Sequence, residues 1–182
     1  MTTEDIIQGC KAKNTKHQKA LVERFAPMLL SVCRRYSKNR ADADDVLQES
    51  LIRILKSIDS FSPSKGVFEG WARKIAINTA LKYFDRNCFK KQVIGLENAS
   101  YQSIEPTIFS KMQADEMMIM IKNLPDGYRQ VFNLYAIEGY SHKEISQILG
   151  IGESSSRSNL TRARKLLKTQ ITNNEMVGHE LR

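Results

Sequence analysis

The sequence predicts an all-α chain made of two small helical domains joined by a flexible linker. Three observations carry this expectation. Apolar residues recur at spacings of three and four through most of the chain, and no stretch alternates in the manner of a strand. That regularity fades between about Gln92 and Gln113, where Asn98, Ser100, Gln102, Ser103, Pro106 and Ser110 accumulate. The length of 182 residues suits one or two small cores, and a hydrophobic content of 41% with 26% charged residues is that of a globular protein. Nine Gly and four Pro exclude a collagen-like or linker-dominated chain.

The elements follow in order. Leu21, Phe25, Leu29, Val32 and Tyr36 lie on one face of a helix, in which Pro27 forces a kink or a division into two shorter helices. A second helix opens with Asp42 as N-cap and with Asp44 and Asp45 at the positive end of the helix dipole. Val46, Leu47, Ser50, Leu51, Ile54, Leu55 and Ile58 form its wide apolar stripe. Residues Phe61-Ser62-Pro63-Ser64-Lys65-Gly66 read as a loop. A third helix runs from about Phe68 to Arg86, made basic by Arg73, Lys74, Lys82 and Arg86.

Beyond the irregular stretch, Met117–Leu124 is apolar and ends before Pro125, which suits the first turn of the next helix, carrying Tyr128, Val131, Phe132 and Tyr135 to a stop at Gly139. Ser141-His142-Lys143-Glu144 is a capping box for a short helix with Ile145, Ile148 and Leu149 inward. Gly150-Ile151-Gly152 turns the chain into a last helix from about Glu153 to Gln170, with fraying expected after Thr172. The expected domains are residues 1–92 and 113–172, with a linker at 93–112 and a tail at 173–182.

Several function classes are disfavoured. No apolar run approaches the roughly 18 residues that cross a bilayer, and the first residues lack the apolar core of a secretory signal, so a cytoplasmic protein without membrane insertion is expected. Cys10, Cys33 and Cys88 are odd in number and far apart, which suits free thiols in a reducing compartment. With His17, His142 and His179 they form no metal-ligand spacing, so neither metal nor cofactor is expected. There is no phosphate-cradling glycine loop and no Gly-x-Ser-x-Gly elbow, and the acid pairs Asp44–Asp45 and Asp115–Glu116 read as helix-start charges. An enzyme is not expected.

The net charge of +8 and a pI near 9.4 point to a polyanionic partner. The excess is not uniform. Residues 1–92 carry 18 basic and 10 acidic side chains, residues 93–120 one and four, and residues 121–182 nine and six.

Segment 141–168 has the spacing of a helix-turn-helix: a short capped helix, a glycine turn and a longer helix. Ser156, Leu160, Ala163 and Leu167 line one face of the last helix, leaving Ser154, Ser155, Arg157, Ser158, Asn159, Thr161, Arg162, Arg164, Lys165 and Lys168 on the others. Arg forks onto guanine, Asn pairs with adenine, and Ser, Thr and helix-start amides bind phosphate. This predicts a DNA-recognition helix. In the third helix, Trp71 stands among basic residues after a loop, and Asn78 sits mid-helix. Residue chemistry leaves two readings there: a core ring with an exposed amide, or a stacking platform for single-stranded nucleic acid.

Three motifs add a resemblance. Asp44-Asp45-Val46-Leu47-Gln48-Glu49-Ser50 resembles the core-polymerase-binding motif of bacterial sigma factors. Phe68-x-x-Trp71-x-x-x-Ile75-Ala76-x-Asn78-x-Ala80 is similar to their promoter-melting, −10-reading helix. Leu124-Pro125, Tyr140-Ser141-x-x-Glu144-Ile145-Ser146, Arg157-Ser158 and Arg162-Ala163-Arg164 resemble their −35-reading domain. Their order and spacing over nearly the whole chain resemble the extracytoplasmic-function (ECF) sigma factors, which carry only these two domains. The resemblance implies a region 2-like domain at 1–92 and a region 4-like domain at 113–172. It implies core RNA polymerase as partner, through the β′ clamp helices and the β flap, with Asp44, Asp45, Leu47, Gln48 and Glu49 at the contact. It implies single-stranded −10 DNA at Phe61, Ser62, Lys65, Phe68, Trp71, Arg73, Lys74, Asn78, Lys82 and Arg86, where the loop 61–67 captures a flipped base. It implies −35 duplex at Ser141, Lys143, Ser154, Ser155, Arg157, Ser158, Asn159, Thr161, Arg162, Arg164 and Lys165. An anti-sigma factor is a further implied partner. The linker either threads polymerase channels or is a simple tether. Many relatives have an apolar residue in place of Ser156 and a basic one in place of Asn159. The competing reading is a stand-alone helix-turn-helix regulator with an N-terminal dimerisation or ligand domain.

Overall fold

The computed structural model describes the backbone of residues 1–88 and 114–180, and the side chains of residues 1–84 and 116–172. The linker expected at 93–112, the Arg86 side chain and the Cys88 side chain lie outside the described residues. All regular elements among the described residues are helical, and the chain divides into two compact units, Met1–Phe84 and Asp85–Arg182.

The first unit begins with a helix the periodicity did not announce, α1 (Thr3–Lys11). Its cap is a reciprocal box: Asp5 N donates to Thr2 Oγ1 at 3.1 Å and Thr2 N donates to Asp5 Oδ2 at 2.8 Å. Ile6, Ile7 and Cys10 are buried. Gly9 is required where the chain turns back, because a Cβ there would lie 2.0 Å from the His17 ring. Helix α2 (Thr15–Tyr36) is one continuous element, so Pro27 does not divide it. Pro27 is exposed, and the backbone bond it removes is lost on the solvent side. The expected face, Leu21, Phe25, Leu29, Val32 and Tyr36, is buried.

Helix α3 (Arg40–Lys56) starts earlier than expected. Its N-cap is Asn39, whose Oδ1 accepts from Asp42 N at 2.8 Å, so Asp42 stands in the first turn and not at the cap. Val46, Ser50 and Ile54 are buried, and the Ser50 hydroxyl is satisfied by donating to Val46 O at 2.6 Å. Two 3₁₀ turns, Ile58–Ser60 and Pro63–Lys65, organise the segment read as a loop, and α4 (Phe68–Cys88) follows. Phe68, Ala72, Ala76, Thr79 and Ala80 face the core.

In the second unit, α5 (Ala114–Lys122) is followed by Pro125 at the N-cap of α6 (Asp126–Phe132), one position outside the helix turn expected for it. Arg129 joins the two helices from a side chain only 1% exposed. It donates to Lys122 O at 3.2 Å, to Leu124 O at 3.0 Å and to Asp126 Oδ1 at 2.6 Å, which satisfies carbonyls that the end of α5 leaves open. Helix α6 runs into a widened π-helical turn, Asn133–Ile137. Gly139 at φ 79° then ends the run.

Helix α7 (His142–Leu149) has the expected capping box, with Ser141 N donating to Glu144 Oε2 at 2.8 Å. Gly150, at φ 64°, closes it in the left-handed conformation. Helix α8 (Glu153–Glu180) buries Ser156, Leu160, Ala163 and Leu167 as expected, and Ile171 beyond them. Its backbone stays helical through Glu180, where fraying after Thr172 was expected.

Candidate nucleic-acid and protein interfaces

Because α3 starts at Arg40, Asp44 and Asp45 fall in its second turn and not at the helix start expected for them, with Glu49 in the third. Asp45 and Gln48 are exposed, while Asp44, Leu47 and Glu49 are half-buried. Arg40 lies 3.8 Å from Asp44, and Arg53 pairs with Glu49 at 2.7 Å; both pairs are solvated and serve mainly to hold side-chain directions. From α4, Tyr83 donates its phenol to Asp45 Oδ2 at 3.2 Å. Desolvation first, then the Asp45 carboxylate, raises the Tyr83 pKa, so the phenol keeps its proton and its donor role. No local pattern reveals this contact, because 38 residues separate the partners.

The segment between α3 and α4 is built on an aromatic cluster. Phe68 meets Phe25 at 4.8 Å between ring centroids, Phe61 at 5.3 Å and Trp71 at 5.5 Å, and Phe61 meets Trp71 at 5.5 Å. Phe61 and Phe68 are 6% and 2% exposed, so these two sequence-predicted contact residues shape the loop from beneath. Trp71 is half-buried, which combines the two readings left open for it: one part packs in the core and another faces solvent. Lys11 of α1 donates to Phe61 O at 3.2 Å, tying α1 to the loop. Ser62 and Ser64 share a hydroxyl contact of 2.8 Å, Lys65 is exposed, and Gly66 adopts φ 134°, which favours glycine. An open cavity of about 460 Å³ lies beside this loop, lined by Ile7, Gln8, Pro63, Val67 and Phe68 among others.

Along α4, Lys74, Asn78 and Lys82 recur every four residues and are all exposed, forming one stripe of two cations around an amide. Arg73 is half-buried and off that stripe.

The second unit carries the helix-turn-helix. Ser141 is engaged by its own cap, and Lys143 is exposed beside it. On α8, Ser154, Ser155, Arg157 and Lys165 are exposed, and Ser158, Asn159, Thr161, Arg162 and Arg164 are half-buried. Ser154, Ser158, Thr161 and Lys165, at spacings of four, three and four, share a face. Arg157 donates to Glu153 Oε2 at 2.9 Å, Arg162 donates to Tyr128 Oη at 3.5 Å, and Thr161 donates to Arg157 O at 3.1 Å. The Arg164 guanidinium lies 5.7 Å from the Tyr135 ring centroid.

Sequence reasoning read Tyr128 and Tyr135 only as helix residues, and His142 only within the capping box and among the metal-ligand candidates. The His142 ring stacks on Tyr135 at 4.6 Å and 21°, and its Nδ1 is 2.9 Å from the buried Ser156 hydroxyl. Burial, then Arg157 and Arg164, holds the His142 pKa below the usual histidine value. Cys10 and Cys33 are buried free thiols. Among the described residues, no group of three His, Cys, Asp or Glu is placed to hold a metal ion, and no helix is long and apolar enough to cross a membrane.

Comparison with known proteins gives these surfaces a family. Residues 21–88 match the profile for Sigma-70 region 2 and residues 115–167 the profile for Sigma-70, region 4. The chain is 26% identical, over 94% of its length and 96% of the relative's, to an ECF RNA polymerase sigma-E factor of Haemophilus influenzae. It is 30% identical, over 81% of its length and 59% of the relative's, to the ECF RNA polymerase sigma factor SigE of Mycolicibacterium smegmatis. Its fold is similar, at a TM-score of 0.51 and 18% identity over 85% of this chain and 96% of that one, to the sigma factor RpoE of Bartonella quintana solved in complex with the anti-sigma factor NepR. Two sigma-70 regions in order along one chain, each on its own helical unit, together with two ECF relatives, establish that the chain belongs to the sigma-70 family as a sigma factor of the ECF type.

Proposed function

We propose that this sigma factor binds core RNA polymerase and directs initiation by reading −35 duplex with its second unit and single-stranded −10 DNA with its first. The observation that carries the reading is the match of both sigma-70 regions, in order, to the two units. In it, residues 1–92 are the region 2 domain, 93–112 the linker, 113–172 the region 4 domain and 173–182 a tail.

The second and third turns of α3, with Asp44, Asp45, Leu47, Gln48 and Glu49, dock on the clamp helices of β′, where charge complementarity speeds and orients association. The region 4 domain sits at the β flap. Arg73, Lys74, Lys82 and Arg86 hold phosphates of the melted strand, Asn78 reads a base, and Ser62 and Lys65 border the pocket for a flipped one. Phe61 and Phe68 act by positioning that loop, and Trp71 offers its solvent side for stacking. Extruding a base costs a few kcal/mol, which the pocket and phosphate contacts offset, so capture of the open strand shifts the equilibrium without ATP. At −35, Arg157 and Asn159 are the base-reading side chains, and Ser141, Lys143, Ser154, Ser155, Ser158, Thr161, Arg162, Arg164 and Lys165 supply phosphate and supporting contacts.

The reading makes the protein a cytoplasmic initiation factor and not an enzyme. It gives it an anti-sigma factor as regulatory partner, in keeping with its ECF family membership. Run-off transcription from genomic fragments with purified core polymerase, with and without the chain, tests it. New promoter-specific transcripts are expected, and Gln48→Ala weakens polymerase binding while sparing DNA reading. Specific duplex binding by the chain alone, with no added transcription, would establish the stand-alone regulator instead.

A further inference from the structure

Ser156 is a polar intrusion in the otherwise apolar inner face of α8. Its neighbours on that face are Leu160, Ala163 and Leu167, and it is fully buried. A buried hydroxyl is stable there only with a hydrogen-bond partner, and His142 of α7 supplies one at 2.9 Å. The imidazole is itself held, because it stacks nearly parallel on Tyr135 of the π-helical turn. Tyr135 also lies under Arg164 of α8. The turn and the start of α7 therefore grip α8 at two points eight residues apart, at Ser156 through His142 and at Arg164 through Tyr135. One contact lets a helix pivot; two along its length fix its rotation.

We propose that Tyr135 and His142 are positioning residues of this sigma factor, which set the rotation of α8 and so decide which of its side chains meet the −35 duplex. This rests on the reading of α8 as the recognition helix. The apolar contacts of the inner face are tolerant of small rotations, whereas the Ser156 hydrogen bond and the ring stack are directional. The charged groups that act on the imidazole are Arg157, Arg164 and Glu153, all from α8. Burial and the two guanidiniums favour the neutral ring. The bond is therefore one between neutral partners at physiological pH.

The test uses the full chain with His142→Ala, His142→Asn and Ser156→Ala. Asparagine places a polar atom near the position of Nδ1, so it retains the bond to Ser156 without the imidazole. With core polymerase, run-off output is compared between a promoter with its own −35 element and one with that element scrambled. His142→Ala and Ser156→Ala should each lower that ratio by roughly fivefold or more, the scale of one lost base contact. His142→Asn should recover most of it, and output from the scrambled promoter should stay unchanged. In the free chain, Ser156→Ala should speed amide hydrogen exchange in the first turns of α8 by about tenfold while leaving α5 unaffected. An asparagine variant no better than alanine, or an unchanged promoter ratio in both alanine variants, would overturn the proposal. If no variant and no wild-type chain initiates from any promoter, the functional reading falls. The exchange experiment then decides the inference alone: unaltered α8 exchange in Ser156→Ala refutes the grip, and accelerated exchange upholds it.

Discussion

Replacing Phe61 by alanine removes a ring that is 6% exposed and packed on both Phe68 and Trp71. Phe→Ala in a core costs about 3–5 kcal/mol, and the open cavity beside the loop lets the site relax, which places this substitution near the low end, about 3 kcal/mol. That is about a 150-fold change in the ratio of folded to unfolded first unit. For a unit of this size, each kcal/mol lowers Tm by about 4–8 °C, so a fall of about 12–24 °C is expected. Trp71 is the sole tryptophan of the chain and sits in the same cluster, so its fluorescence during thermal or urea unfolding reports this unit alone. Phe61→Leu, which keeps most of the volume, should cost less than about 1.5 kcal/mol. Lys65→Ala, at an exposed position, should stay within about 0.5 kcal/mol of wild type. A loss below about 1 kcal/mol in Phe61→Ala, or an equal loss in Lys65→Ala, would refute the view that the aromatic cluster supports the loop from beneath.

Three further outcomes are expected. Arg157→Ala should relax discrimination at one −35 position by about 1–3 kcal/mol; a uniform loss across all promoters in competition transcription would assign Arg157 to phosphate instead. The His142 pKa lies below its ordinary value, so its contribution to second-unit stability is complete above the usual histidine range and is lost as pH falls through the depressed value. Circular-dichroism melts from pH 7.5 to 5.5 should show this decline in wild type and a smaller one in His142→Asn; identical profiles would refute it. Burial pushes the Cys33 thiol up to about 11 and raises Cys10 as well, so both should react with a disulfide reagent at pH 8 only after denaturation. Fast labelling of both in the native chain would contradict their burial.

Much of the fold is legible in the sequence because local chemistry decides it. The Ser141–Glu144 box, the left-handed Gly150 and the inward stripe from Ser156 to Leu167 need only neighbours within one or two turns. The first helix escapes the same reasoning, since Ile6, Ile7 and Cys10 make too short a pattern and its box uses Asp5 where glutamate is usual. At α3, Asn39 and Asp42 are both able to cap, and the choice depends on how the chain enters from Ser37, which no propensity encodes. The candidate surfaces divide likewise. The Lys74–Asn78–Lys82 stripe follows from helical spacing alone. The burial of Phe61 and Phe68, the Lys11 tie to Phe61 O and the Tyr83–Asp45 contact are tertiary events, between residues up to 50 positions apart.

The π-helical turn at Asn133–Ile137 has an evolutionary consequence. A π turn is in effect an α-helix that has accepted one surplus residue, and one residue advances an α-helix by about 100°. Removing a single codon from this turn would restore regular winding and rotate α7 and α8 relative to α6 by about that angle, breaking the registry of Tyr135 with His142 and Arg164. Point substitutions at the recognition surface alter one contact at a time, whereas a deletion here would displace the whole reading head. Outside Tyr135 and the buried Asn133 and Leu134, this short stretch should therefore tolerate changes of residue type more readily than changes of length.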